Sequence, residues 1–244
     1  MSNAANQKPM GYNERLFSGK GLRSYLHSSR FEWFKRTQNT HNISAENVIE
    51  LGCFDGRLLS YCETPPAKYH GYDADWEGGL SKAQAEFKDH PDWTFIKSAD
   101  PADLGERADN SCTLAVALET MEHIPPQMVD DYLKQMARIT NGYLLISVPN
   151  EKGLVFLAKW IAKKTFFGGA EKYTGRELFN AVLGRMDCIA RNEHKGFDYA
   201  ALVRNISDHF DIVSVESIPK KWMPLSFAFT VGIVARSKPT QTRV

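Results

Sequence analysis

Short apolar runs alternate with longer amphipathic stretches along most of the chain, and this alternation predicts its elements. Asn47–Leu51, Lys68–Asp73, Trp93–Lys97, Cys112–Leu118 and Gly142–Val148 are five such runs. Each has the length of a strand and is flanked by glycine, proline or polar residues. Cys112-Thr-Leu-Ala-Val-Ala-Leu118 is apolar almost throughout, as a strand buried on both faces is. Between the runs, helical stretches are predicted from Gly56 to about Cys62, from Gly79 to about Lys88, and from about Gln127 to Ile139. The last places Met128, Tyr132, Leu133, Met136 and Ile139 on one side. Strands alternating with helices of this length imply right-handed βαβ crossovers and a mostly parallel sheet.

The rhythm differs at both ends. From about Leu16 to Arg36 the apolar spacing predicts one or two helices, interrupted at Gly19 and Gly21. After Pro149, residues 152 to 190 read as mainly helical. Asp198 is a predicted N-cap for a helix through about Asp208, and Asp211–Val215 and Phe227–Val234 are late strands. The expected organisation is an N-terminal helical segment over residues 1–45, which covers the ligand site, and one α/β domain over 46–238. That domain carries a helical insertion at about 152–190, and a polar tail follows at 239–244. Met1-Ser-Asn-Ala4 is polar and contributes nothing to the fold pattern.

Composition narrows the function class. A chain of 244 residues suits one large α/β domain, and 43% hydrophobic with 24% charged residues is ordinary for a soluble protein. A formal net charge of +1 gives no global pull toward nucleic acid or an anionic membrane, so no nucleic-acid partner is expected. Cys53, Cys62, Cys112 and Cys188 lack the spacing of a zinc site or redox pair, which suits a reducing compartment. No apolar run approaches the ~20 residues that span a bilayer, and the N-terminus lacks a signal-peptide layout. A cytoplasmic protein, monomer or homodimer, is expected.

The first run leads into Glu50-Leu-Gly52-Cys-Phe54-Asp-Gly56-Arg57. In a doubly wound sheet the ligand lies at the carboxyl ends of the strands, where the first and fourth diverge. The loop there must let backbone approach the ligand, which glycine allows. A nicotinamide fingerprint needs G-x-G-x-x-G, and Phe54 and Arg57 break it at two positions. The segment instead resembles the first motif of class I S-adenosylmethionine (SAM)-dependent methyltransferases, an acidic residue followed by G-x-G-x-G, with Phe54 at the middle glycine. That resemblance implies a Rossmann-like, doubly wound, seven-stranded sheet with helices on both faces, the last strand antiparallel, and a helical cap. It also implies SAM as cofactor, with Glu50, Gly52, Cys53 and Gly56 in the loop that holds it. Asp73 ends the second run about 20 residues beyond the loop, where a carboxylate can accept both ribose hydroxyls; Ala74 follows it, and Asp75 competes for the role. After the third run the resemblance places Ala99 and Asp100 at the adenine, the Asp100 carboxylate on its amino group.

Leu118-Glu-Thr-Met-Glu-His-Ile-Pro-Pro126 resembles the segment after the fourth strand in small-molecule methyltransferases related to the ubiquinone and menaquinone biosynthesis enzymes. Glu122, His123, Ile124 and Pro125 carry the match. Pro149-Asn150 and His194-Lys-Gly-Phe-Asp198 extend it, so the likeness runs from about residue 46 to 235. Leu118 and Glu119 are then candidate cofactor contacts, with helix capping the alternative for Glu119. Methyl transfer from a sulfonium is an in-line displacement that depends mainly on alignment. A hydroxyl acceptor also requires a base, and histidine suits that work. His123 is the first candidate and His194 the second; each has an alternative role, His123 in positioning its loop and His194 as a loop residue. Glu119, Glu122 and His123 suggest a metal site, but adjacent side chains point in different directions, and no metal is expected.

Lys159, Lys163 and Lys164 beside Trp160, Phe166 and Phe167 fit either an interfacial helix for a lipid-linked acceptor or, preferably, a packed cap over the site. At most peripheral membrane contact is expected. Tyr12 and Arg23 are candidate contacts at the methionine end of SAM. The leading function is methylation of a small-molecule acceptor, either free or lipid- or glycan-linked, at oxygen, carbon or nitrogen. The alternatives are a non-catalytic SAM-binding scaffold, if Phe54 crowds the ligand, and a nicotinamide oxidoreductase.

Overall fold

The alternating pattern becomes a single sheet. Its strands are β1 (Asn47–Leu51), β2 (Lys68–Asp73), β3 (Trp93–Lys97), β4 (Cys112–Leu118), β5 (Thr140–Pro149), β6 (Phe210–Ile218) and β7 (Thr230–Ser237). The order across the sheet is β3-β2-β1-β4-β5-β7-β6. Strands β1 to β5 pair in parallel, and β7 lies antiparallel between β5 and β6. The helices are α1 (Leu22–His41), α2 (Gly79–Glu86), α3 (Pro126–Ile139), α4 (Gly153–Ala162), α5 (Gly175–Val182) and α6 (Tyr199–His209). This computed structural model describes residues 21–76, 78–167, 171–192 and 194–239, apart from the side chains of Leu22 and Arg23. The expectations for Leu16, Gly19, Tyr12, the Arg23 side chain and nearly all of the polar tail lie outside the described residues.

Successive strand residues point to opposite faces, and both faces are covered. Ile49, Ala115, Ala117 and Ile146 pack with α3 and α6 on one side. Val48, Leu114, Val116 and Leu145 pack with Phe31, Trp33 and Phe34 of α1 and Leu80 of α2 on the other. This two-sided burial explains why β4 is apolar without alternation. Local signals set the helix ends. Pro126 opens α3, which buries Val129, Tyr132, Leu133, Met136 and Ile139. Asp198 caps α6 by accepting from the Ala200 N–H at 3.0 Å. Thr174 and Glu177 form a reciprocal capping box on α5.

Three predicted elements differ. The stretch after Gly56 is a 3₁₀ turn over Arg57–Tyr61, ended before Pro65 and Pro66. The last strand begins at Thr230, because Leu225–Phe227 forms a 3₁₀ turn held by the Asn150 amide, which donates to the Leu225 and Ala228 carbonyls. β6 runs on to Ile218, three residues beyond its predicted end. No helix among the described residues is long and apolar enough to cross a membrane.

The N-terminal helix is part of the core. Trp33 is fully buried, and its ring lies so close to β7 that a Cβ on Gly232 would sit 2.4 Å from it. Trp33→Ala is therefore expected to destabilise the protein by about 3–5 kcal/mol in urea unfolding. A loss below about 1 kcal/mol would contradict this packing.

Candidate functional site

A cavity of about 1210 Å³ opens at the carboxyl ends of β1, β2 and β4, roofed by α1 and α4. Its floor is the glycine loop. Gly52 has a φ of +72°, and a Cβ there would lie 2.1 Å from the Thr120 hydroxyl oxygen. Both the left-handed backbone and the absence of space therefore require glycine. The Thr120 hydroxyl donates to the Leu51 carbonyl at 3.1 Å, joining the ends of β1 and β4. The Asp73 carboxylate then fixes the loop from β2, accepting from the Phe54 N–H at 2.9 Å and the Asp75 N–H at 2.7 Å. Phe54 and Glu119, both lining the cavity, have positive φ, as does nearby Asp75.

Most of the predicted site residues meet here. Glu50, Gly52, Cys53, Asp73, Ala74 and Ala99 line the cavity, as do Leu118, Glu119, His123 and His194. Asp75 does not; it lies 3.8 Å from Lys97. Two further predicted residues lie outside the lining. Gly56 faces away from the cavity, against the Phe87 and Phe95 rings, where a Cβ would lie 2.8 Å and 3.0 Å from them. Asp100 is exposed and outside the lining, and its carboxylate caps the 3₁₀ turn Pro101–Glu106 by accepting from the Ala102 N–H at 2.9 Å. The Phe54 ring packs over Gly79 at the start of α2, where a Cβ would lie 2.5 Å from it. Phe54 also lines the cavity, with its ring held against Gly79.

The cavity is rich in buried acids. Glu50 accepts from the Tyr69 hydroxyl, and burial pushes its carboxyl up to about 8; the Tyr69 bond opposes this, while Asp73 and Asp55 add to it. Burial also raises Glu119, against the charges of Arg30 and Lys159. Glu122 is raised well above the usual carboxylate range by burial and by the charge at Glu119. None of these three forms an ion pair among the described residues, whereas Lys159 pairs with Glu151 at 2.9 Å and Lys163 with Glu171 at 2.7 Å.

At the far end, the His123 and His194 rings meet edge to face, with centroids 4.6 Å apart. Burial and the neighbouring His123 lower His194 to about 4, so it is a neutral imidazole near pH 7. Sequence reasoning missed Arg191, whose Nη2 donates to the Met121, Glu122 and Ile124 carbonyls at 3.1–3.3 Å. It ties the turn carrying His194 to the segment after β4, and no local motif announces it. Missed too were Trp76, edge-on to His123, and Thr120. Lys159, Trp160 and Lys163 of the insertion line the cavity, so α4 is a packed cap over the site. The inference that Glu122 and His123 must diverge does not hold, since both converge with His194.

A family profile described as a methyltransferase domain matches residues 22–218. Among solved structures, an S-adenosylmethionine-dependent methyltransferase from Clostridium acetobutylicum superposes with a TM-score of 0.60 at 11% identity, over 93% of this chain and 96% of its own. Magnesium protoporphyrin IX methyltransferase from Synechocystis, solved with bound SAH, gives 0.56 at 16% identity, over 92% of each chain. A putative S-adenosylmethionine-dependent methyltransferase from Listeria monocytogenes gives 0.54 at 17% identity, over 86% of this chain and 99% of its own. At these identities the likeness is one of fold. No curated protein matches the sequence.

The raised Glu50 carboxyl has a consequence for stability. Its folded value lies above the ordinary 4.5, so the folded state keeps a proton that the unfolded chain gives up. Its contribution is full below about pH 4.5 and declines as pH rises to about 8. Glu50→Gln is expected to gain melting temperature relative to the parent at pH 8 compared with pH 5. An equal difference at both pH values would contradict this.

Proposed function

The chain belongs to the methyltransferase-domain family, within the class I SAM-dependent methyltransferases, and on that premise we propose that it methylates a small-molecule acceptor in this cavity. The observation that carries the reading is the electrostatic character of the pocket. Glu50 and Glu122 are buried carboxyls and Glu119 a partly buried one, none with an ion-pair partner among the described residues, at the place where a dinucleotide fold would put its ligand. Such a lining can release protons and pair with a ligand that carries cationic groups, and it offers no counter-charge to the anionic pyrophosphate of a nicotinamide cofactor. SAM, when bound, supplies an electrophilic methyl on a positively charged sulfur.

In this reading each residue does limited work. Asp73 spends one acceptor position of each oxygen on the loop, and each keeps lone-pair capacity for a ribose hydroxyl. Gly52 lets the loop backbone close on the ligand. Ala74 and Ala99 border the nucleoside side, and Glu50 and Glu119 face its cationic end. His123 and His194 stand at the acceptor end, beyond which α4 excludes water. The cavity exceeds the ~300–1,000 Å³ common for a single-ligand site, which supports room for cofactor and acceptor together. The resemblance of Glu122-His-Ile-Pro125 to the ubiquinone-related enzymes supports a small acceptor rather than a nucleic acid or protein.

Asp73→Ala removes both the loop contact and the ribose acceptor. It is expected to weaken binding of SAM and S-adenosylhomocysteine by about 1–3 kcal/mol in isothermal titration. Unchanged affinity would remove Asp73 from the cofactor site and the main support for this reading.

A further inference from the structure

We propose that Glu122, His123 and His194 bind one divalent transition-metal ion at the acceptor end of the cavity. One carboxylate oxygen of Glu122 and one ring nitrogen of each histidine all lie within 4.8 Å of one another. A site with ~2.1 Å bonds needs donors about 3.4 Å apart, so closure takes roughly an ångström of side-chain motion. The two rings meet edge to face at 84°.

The second observation is Glu122 itself. It is 1% exposed, it lines the cavity, and neither carboxylate oxygen has a hydrogen-bond partner. A buried carboxyl is ordinarily hydrogen-bonded or paired, because stripping its hydration is costly. Glu119 raises that cost by adding a second acid nearby. A cation between Glu122 and the two rings removes it.

The framework around the cluster is built to hold these residues in register. Arg191 clamps the carbonyls of Met121, Glu122 and Ile124 and is itself stacked over Phe197, with its guanidinium carbon 5.1 Å from the ring centroid. It leads directly into the turn closed by the reciprocal Asn192 and Lys195 backbone bonds, which carries His194. Lys195 is anchored to Glu177 at 2.7 Å. Ligands from two distant parts of the chain are thus tied together by a residue that is not itself a ligand.

Two imidazoles and one carboxylate suit zinc, cobalt, manganese or iron better than calcium or magnesium, which favour all-oxygen shells. Three protein ligands leave positions open, as in catalytic rather than structural sites. An acceptor that presents a hydroxyl fits there, since a bound divalent ion makes its proton easier to remove. That role rests on the methyl-transfer reading; binding of the ion does not.

The test uses the full chain stripped with a chelator and titrated with Co²⁺. One equivalent per chain is expected, with visible absorption. His194→Ala should weaken Co²⁺ binding at least tenfold while keeping S-adenosylhomocysteine affinity within about threefold, and Glu122→Gln should also weaken Co²⁺ binding at least tenfold. In the parent protein, Co²⁺ should shift the ring NMR signals of His123 and His194 far more than those of the other five histidines. Substoichiometric binding, unchanged Co²⁺ affinity in both variants, or perturbation of other histidines instead would overturn the site. Stoichiometric Co²⁺ without S-adenosylhomocysteine binding would leave the metal site standing and remove the methyl-transfer reading.

Discussion

The contact between Gly52 and Thr120 is the constraint on which the site depends. A parallel sheet brings the ends of β1 and β4 side by side, but the loops that leave them must still approach closely enough to share one cavity. Gly52 permits this by having no side chain where the Thr120 hydroxyl stands, and Thr120 secures it by donating to the Leu51 carbonyl. Asp73 extends the same junction to β2 through the Phe54 N–H. Three strand ends are thereby fixed around one space, and Arg191 separately clamps the segment after β4.

What they carry there is acid. Glu50 on β1, Glu119 just past β4 and Glu122 one turn later would each be costly in a dry core. Their concentration at a single cavity, while Lys159 and Lys163 are engaged by Glu151 and Glu171, makes the pocket receptive to positive charge. Raised carboxyls and left-handed non-glycine residues are both expensive, and they coincide at Glu119, with the raised Glu50 and the left-handed Phe54 lining the same cavity. The stability given up at one end of the sheet is offset by the two-sided core, in which Trp33 and Phe34 of α1 and Leu133 and Met136 of α3 are wholly enclosed.

Much of this was legible in the sequence, and the limits have physical causes. β2, β3 and β4 match their predicted ranges residue for residue; β4 does so because a fully covered parallel strand is an apolar run with polar ends, whereas β2 and the edge strand β3 are marked by the proline and polar residues around them. The boundaries of the last strand were not legible, because Leu225–Phe227 is apolar enough to pass for strand and is diverted by the Asn150 amide, a tertiary contact. Asp73 could be found from its offset to Gly52. Asp100 could not be judged the same way, since the position fits the motif while the local Asp-Pro sequence turns its carboxylate onto the next N–H in the chain. The convergence of Glu122, His123 and His194 was out of reach, because about seventy residues separate its parts and the link, Arg191, bonds to backbone carbonyls that leave no trace in residue type.

The central claim is that the carboxyl-end cavity is made for an adenosyl ligand with a cationic tail and not for a dinucleotide. Isothermal titration of the purified chain with S-adenosylhomocysteine and, separately, with NAD tests it most directly. The account predicts one S-adenosylhomocysteine per chain and no measurable heat with NAD; saturable NAD binding without S-adenosylhomocysteine binding would contradict it.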